Sequence, residues 1–467
     1  MGFNYIYQYN LIYLTINFNL IKQNKGRFGP GCGNLAENMA IKVLSLFSTK
    51  GGDMANPEMT VAQKRSFLGS LPAAIWLLSA AIMAMRIAEV FYVPILPLYV
   101  KALDTAAPLF LVGIVTGIHR LSLAFTQPLA GGWLDRAGRK KPFIIGTAIA
   151  AVSSLLGGAA FGPADLVLYR VFSGVGFGLL TLAALAFITD ITSSNNRATA
   201  MGIFSASTLA GAAIGPLPGG MIAESFSSHL LGYRATFYFS GTFMILVGLY
   251  AYFLIKERTT IPAGMIPISK KVPIREVLKN KDIAMASLTT FLWGISYGAL
   301  LFLTIPLLGE KLGFPPTKIG WVISAFGWGH VAGAFVFGPL SDKFGKRKPF
   351  GLISILGSGV LVILFALSEN IWWMVGINAL FGFISGPCCN VFPAMMSELN
   401  PSAPVTSIGA QRFGEQFGIF LGPVIGGLLI PVFGYQGAIM TYGAIMIIGS
   451  LVFQIGVAEP RQPIVQL

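Results

Sequence analysis

Arg86 and Glu89 stand three residues apart inside an apolar run at 75–97, and Arg412 and Glu415 repeat that spacing inside another at 407–431. Residues three apart share one face of a helix, so each pair sets a carboxylate beside a guanidinium away from water. Lost hydration favours protonation of such a carboxylate, and the neighbouring cation opposes it. A movement that changes either influence binds or releases a proton. A charged side chain at the centre of a bilayer costs about 2.5–3.5 kcal/mol, so each one needs a reason. Glu89 with Arg86 is the first candidate for a proton-exchanging group, and Glu415 with Arg412 the second. A static ion pair is the competing reading for both. His119 and Arg120 lie together in the run at 109–134, Arg170 near one end of the run at 164–188, and His330 in the run at 319–340. A histidine titrates near neutral pH, although a lone one is more often a bonded packing residue.

The elements that must carry these residues follow from hydropathy. The chain has 467 residues, of which 54% are hydrophobic and 11% charged, with a mean hydropathy of +0.72. Soluble domains carry about 25% charged residues, so most of this chain faces lipid or other helices. A spanning helix needs about 20 apolar residues. Twelve such runs can be drawn, numbered here helix 1 to helix 12: 75–97, 109–134, 142–162, 164–188, 198–223, 235–255, 283–307, 319–340, 350–367, 371–396, 407–431 and 434–456.

Two motifs recur with one offset. Asp135-Arg-Ala-Gly-Arg-Lys-Lys-Pro-Phe143 returns as Asp342-Lys-Phe-Gly-Lys-Arg-Lys-Pro-Phe350, shifted by 342 − 135 = 207 positions. Gly211-x3-Gly215-Pro216-x2-Gly219-Gly220 returns as Gly418-x3-Gly422-Pro423-x2-Gly426-Gly427, also shifted by 207. A shared offset means a duplicated unit, which divides the twelve runs into six and six. The expected fold is an all-α membrane protein of 12 transmembrane helices in two pseudo-symmetric six-helix bundles, 73–255 and 283–457, joined by a loop at 256–282. Duplicated membrane bundles are the architecture of alternating-access transporters.

The formal net charge of +14 is a topology signal. Even-to-odd connections and both tails, counted from residue 54, hold nineteen Lys and Arg, against Lys101, Arg234, Lys311 and Lys318 on the other side. The positive-inside rule then puts both tails and the 256–282 loop in the cytoplasm, and a nucleic-acid partner is not expected. The three cysteines, Cys32, Cys388 and Cys389, give no disulfide framework. No metal-ligand cluster, phosphate-binding loop or sizeable soluble domain is legible, so neither an enzyme nor a cofactor is expected. Residues 1–72 form an N-terminal tail and 458–467 a C-terminal one. Within the former, 1–53 are Asn- and Tyr-rich and lack a spanning run. Two readings stand for 1–53. One is a disordered tail. The other is non-native sequence upstream of a start at Met54, because Lys50-Gly-Gly-Asp-Met54 can be back-translated as a ribosome-binding site before a start codon.

These residues resemble the major facilitator superfamily, over about 73–456. Gly131-x3-Asp135-Arg136-x-Gly138-Arg139-Lys140 is similar to the family's loop motif between helices 2 and 3, with Trp133 where Leu is usual. Gly338-x-Leu340-x-Asp342-Lys343-x-Gly345-Lys346-Arg347 is the same motif between helices 8 and 9. The resemblance implies a conformational latch in which Asp135 and Asp342 bond the facing half, near the start of helix 11 or helix 5. Asp190 and Glu398, equivalent in the repeat (190 + 208 = 398), mark the ends of helices 4 and 10 and are expected as gate partners. A purely topological basic loop is the competing reading. Arg170-x3-Gly174-x-Gly176-x-Gly178 resembles the motif whose arginine the family links to proton coupling, against simple snorkelling of Arg170 to the interface.

The Gly-Pro-x2-Gly-Gly element resembles the motif associated with the antiporters of this superfamily. It is expected to act as a hinge or seam through Gly211, Gly215, Pro216, Gly219, Gly220, Gly422 and Pro423. Ordinary tight packing by small residues holds equally. The resemblance also implies a central cavity lined by helices 1, 2, 4, 5, 7, 8, 10 and 11. Candidate lining residues are Phe91, Tyr92, Arg120, Trp293, Tyr297, Trp321, Trp328 and His330. For any one ring, lipid-facing or interfacial anchoring competes. The leading expectation is a monomeric, proton-coupled exporter of lipophilic compounds in the plasma membrane. The alternative is a symporter importing a sugar or organic anion, which the cluster of Arg86, Arg120, Arg170 and Arg412 would suit.

Overall fold

The computed structural model describes residues 73–192, 196–254 and 273–460. The expectations for 1–53, for most of the 256–282 loop and for 461–467 fall outside that range. The described residues of 73–192 and 200–460 cluster as one unit.

Twelve helical segments cross the apolar layer. They are α1 (Ala73–Val90, resuming as Leu96–Leu103 after a turn), α2 (Leu109–Ala137), α3 (Lys140–Gly158), α4 (Pro163–Ile191), α5 (Arg197–Ile214 with Pro216–Glu224) and α6 (His229–Leu254). The second set is α7 (Lys281–Ala299, continuing through Leu300–Thr304 to Ile305–Lys311), α8 (Pro316–Phe344), α9 (Lys348–Phe365), α10 (Ile371–Ser385 with Pro387–Leu399), α11 (404–433) and α12 (435–456). The last two run on without a break in hydrogen bonding, but Gly434 at φ 68° turns the chain between them. Only glycine takes that backbone without strain.

Local chemistry sets the ends. Asn280 accepts from the backbone N–H of Asp282 at 3.0 Å, and Asn370 from Trp372 at 2.9 Å, capping α7 and α10. Gly345, left-handed at φ 62°, closes α8. α7 widens to a π-turn over Leu300–Thr304, a departure from α geometry that is frequent at functional sites.

The antiporter-type motif has two working faces. Gly211, Gly215 and Gly219 lie one turn apart and admit the α1 backbone, so a Cβ on any of them would meet the carbonyls of Met83, Ile87 and Phe91. Gly418 and Gly422 do the same against Phe291 and Ile295 of α7. The other face seals the two halves together. Gly320 of α8 packs on Pro216 of α5, and Gly113 of α2 packs on Pro423 of α11. Gly220 meets Pro316, and Gly427 meets Leu109. Each contact maps onto its partner by the 207-residue offset (216 + 207 = 423; 113 + 207 = 320). Gly215 keeps helical angles, φ −60° and ψ −38°, and α11 runs unbroken through Pro423. Here the motif works as a seam.

That seam closes one end only. Gly131 lies 18 residues, five turns, beyond Gly113 on the same face of α2, and Gly409 lies 18 residues before Gly427 on α11. Nothing stands within 4 Å of a Cβ built on Gly131 or Gly409. α2 and α11 therefore diverge toward the end that carries the basic loops, with the Phe125 and Phe413 rings, 5.4 Å apart, meeting on the way.

A side chain at Gly320 tests the seam, because its Cβ would fall 2.6 Å from the Pro216 carbonyl oxygen. We predict that Gly320→Val costs the closed arrangement about 1–3 kcal/mol by overpacking. It should raise labelling of a Thr317→Cys reporter by a membrane-impermeant maleimide above that of Thr317→Cys alone. Unchanged labelling would contradict the seam.

Candidate functional site

The centre of the first half is an ion cluster on α1 and α2. The Glu89 carboxylate is 3% exposed. It pairs with the Arg86 guanidinium one turn away, accepts a hydrogen bond from or shares a proton with His119 Nε2 at 3.0 Å, and lies 3.8 Å from Arg120 Nη1. The spacing puts Arg86 and Glu89 on one face of α1, and consecutive residues of α2 deliver His119 inward and Arg120 toward the seam. Arg120 lies over the Phe302 ring at 5.4 Å, so the cluster touches the π-turn of α7 in the other half. His119 meets the Phe177 edge of α4, with ring centroids 5.6 Å apart.

Arg170 of α4 is buried and stacks on the Tyr92 ring at 4.7 Å, with Tyr92 stacked in turn on Phe237 of α6 at 4.7 Å. It is therefore inside the first bundle, and simple snorkelling to the surface does not describe it. Tyr92 is 1% exposed and belongs to that interior stack. Its expected place on the cavity wall is not where the structure puts it.

The second half answers with a smaller cluster. Glu415 of α11 pairs with Arg412 at 3.0 Å and accepts a hydrogen bond from Gln411 Nε2 at 3.0 Å. Arg412 also donates to the Cys389 carbonyl at 3.2 Å. His330 is held on both ring nitrogens, by Ser385 Oγ at 2.9 Å and Cys389 Sγ at 2.8 Å. Its ring stacks on Phe326, which packs on Tyr297. Trp293 and Tyr297 stack at 4.8 Å. Tyr297 lies within electrostatic reach of Arg86 and Arg120 on one side and of Glu415 on the other. This tyrosine is the aromatic group between the two clusters.

Trp328 does not join them. Phe326 and His330 fix the inward face of α8, and Trp328 lies between them in sequence on the opposite side, 49% exposed. Trp321, seven residues earlier on that same outer face, packs edge-on against the exposed Trp372. Trp321 and Trp328 form an outward-facing aromatic stripe, a correction to their assignment as cavity residues.

At the basic end each loop motif is tied within its own half. Arg139 Nε donates to Asp190 at 2.7 Å. In the second copy Arg347 binds Glu398 through Nη2 at 2.8 Å and through Nε at 3.1 Å, and also pairs with Asp342. Burial disfavours the Arg347 charge, but Glu398 and Asp342 outweigh it and hold its pKa above the ordinary value. Asp190 and Glu398, the expected gate partners, each lie against an arginine of the basic loop of their own half. The arginine that meets Glu398 is Arg347, whereas the 207-residue alignment pointed to Lys346, which is exposed. The pairing keeps the 208-residue offset (139 + 208 = 347; 190 + 208 = 398) because each arginine occupies the N-cap position of the following helix. Asp342 bonds Arg347 inside its own half, and among the described residues no bond joins it to the facing half. Arg136 is exposed, Gly138 ends α2 at φ 80°, and the Asp135 side chain is outside the described residues. The Glu459 carboxylate accepts from the backbone N–H groups of Arg347 and Lys348, tying the end of the described chain to α9.

A sequence profile of the Major Facilitator Superfamily matches residues 78–315 and 286–466. The chain belongs to the Major Facilitator Superfamily. It is a multi-pass membrane transporter. Among known proteins it is similar to the multi-drug resistance efflux pump PmrA of Streptococcus pneumoniae, 28% identical over 362 residues, covering 74% of this chain and 86% of that protein. It is also similar to the quinolone resistance protein NorA of Staphylococcus aureus, 28% identical over 359 residues, covering 73% and 85% of the two chains. Among solved structures, an inward-facing, occupied bacterial homologue of the human lysosomal transporter Spinster superposes with a TM-score of 0.68 at 17% identity, covering 84% of this chain and 96% of that one. A D-xylose–proton symporter superposes at 0.66 with 15% identity, covering 83% and 98%. These two likenesses establish the shared fold.

For the basic end, we predict that Arg347→Ala leaves Asp342 and Glu398 without their shared cation and destabilises the second bundle by roughly 1 kcal/mol, since the pair is partly solvated. The check is a lowered Tm of the purified protein. An unchanged Tm would contradict a structural role for Arg347.

Proposed function

We propose that this transporter exports lipophilic compounds by exchange for protons, and that Glu89 is the group that binds the proton. The observation that carries this reading is the Glu89 carboxylate, 3% exposed and held by Arg86, His119 and Arg120 at the seam between the halves. Arg120 bears on Phe302 of the opposite bundle, so a rocking motion changes the number of cations near Glu89. Fewer cations favour protonation, and more favour release. The similarity to the multi-drug resistance efflux pump PmrA supports export.

The charge asymmetry assigns the basic end to the cytoplasm. The splayed α2 and α11 then make this an arrangement open to the cytoplasm, from which a lipophilic solute enters. Tyr297, Trp293 and Phe326 offer it aromatic faces, and aromatic faces suit cationic and flat molecules. Glu415, with Arg412 and Gln411, is a second proton site nearer the cytoplasm. The protein works as a monomer, since the pathway lies between its own two halves. Symport of a sugar or an organic anion is the second reading, favoured by the excess of arginine over carboxylate around Glu89.

Ethidium flux in proteoliposomes under an imposed pH gradient separates these readings. We expect ethidium to move against the proton flow in the wild type. Glu89→Gln should reduce gradient-driven flux to the level of empty liposomes while leaving ethidium exchange intact. Undiminished uphill transport by Glu89→Gln would remove Glu89 from the mechanism, and co-movement of solute and proton would establish symport.

A further inference from the structure

The first bundle contains more buried positive charge than its carboxylate balances. Arg86 and Arg120 both stand beside Glu89, the single carboxylate away from the helix ends in α1, α2 and α4 among the described residues. Arg170 lies deeper, and its charge acts on His119. The other acids of α4 are engaged at its two ends, Asp165 with the Phe161 backbone N–H at 3.0 Å and Asp190 with Arg139. Arginine does not shed its proton in a protein. Stacking on Tyr92 compensates part of the Arg170 charge through the ring face, but not the N–H groups at the edge of the guanidinium.

Those groups have company. Arg170 Nε and Nη1, Ser173 Oγ, Tyr92 Oη and His119 Nδ1 are all buried without a hydrogen-bond partner among the described residues. Arg170 and Ser173 lie one turn apart on the face of α4 that meets α2, where Gly174 packs on the His119 backbone. Tyr92 closes the group from α1. Every one of these residues is at least nine-tenths buried: Arg170 is 6% exposed, Ser173 3%, Tyr92 1% and His119 1%. Each atom can donate, the histidine nitrogen when the ring is protonated on both nitrogens, since Nε2 faces the Glu89 carboxylate. An unsatisfied buried donor costs about 1–3 kcal/mol, and more beside a charge. Buried donors left without partners beside uncompensated positive charge favour an anion.

We propose that Arg170, Ser173, Tyr92 and His119 bind a small inorganic anion of chloride size inside the first bundle. Burial selects size: among side chains at least nine-tenths covered, a monoatomic ion is admitted more readily than an organic carboxylate. The anion balances Arg170 and holds α1, α2 and α4 together. The site adjoins Glu89 through His119 but does not depend on the direction of transport.

The test uses the full-length protein purified in detergent, at fixed sodium concentration and pH, with chloride, bromide, acetate or gluconate as the anion. Chloride and bromide should raise Tm saturably by about 2–4 °C over gluconate, and acetate should not. Arg170→Gln should abolish the halide dependence. Should that variant fail to fold, wild-type crystals grown in bromide provide a separate reading, with an anomalous peak expected between Arg170 and Ser173. A Tm that ignores the anion, an Arg170→Gln protein that keeps the halide response, or density for water alone would overturn the proposal. An acetate effect equal to that of chloride would overturn the monoatomic assignment in favour of a carboxylate site.

Discussion

A single carboxylate held out of water by three basic side chains is the constraint around which this protein is organised. Removing Glu89 from water is costly, and a buried charge persists only where its partners are well placed. Arg86 is placed by helical spacing, and His119 and Arg120 by consecutive positions on α2. Their placement in turn requires α1 to lie close to α5, which the glycines at 211, 215 and 219 allow by admitting the α1 backbone. The ion cluster and the glycine motif are two parts of one arrangement, since a bulkier α5 would carry α1 away from α2.

The two halves share their mechanics and differ in their chemistry. The seam contacts repeat pair for pair, Gly113 on Pro423 and Gly320 on Pro216. A symmetric closure lets the bundles pivot about a common axis. The charges are not repeated. Where the first half has Arg86 and Glu89 on α1, the 207-residue offset reaches Trp293 and Ser296 on α7 (86 + 207 = 293; 89 + 207 = 296). Aromatic surface thus faces ionic surface across the pathway, and Tyr297 lies within the field of both clusters. Under the proposed function, this asymmetry has aromatic faces recognise the solute while a proton is handled on the other wall.

The repeat, the twelve crossings and the intrahelical pairs Arg86–Glu89 and Arg412–Glu415 were legible because they rest on periodicity, which a sequence displays directly. His119 as a Glu89 ligand was not, because α1–α2 register depends on glycine contacts that spacing does not encode. Its only sequence signal was a histidine next to an arginine in an apolar run. Arg347 was obscured by the one-residue difference between the motif offset and the helix-cap offset. Only the start of α9 shows which basic residue turns toward Glu398. Trp328 was misplaced because a tryptophan in an apolar helix fits lipid and cavity equally, and the face is decided by its neighbours Phe326 and His330. The π-turn at Leu300–Thr304 had no sequence signal, being a backbone adjustment beside the Arg120–Phe302 contact.

Proton release on substrate binding tests the central claim most directly. In weakly buffered solution, ethidium added to the purified protein should release protons from the chains in which Glu89 has drawn away from its cations and is protonated, and Glu89→Gln should release none. Ethidium binding with no change in pH, or with proton uptake, would contradict exchange at this carboxylate.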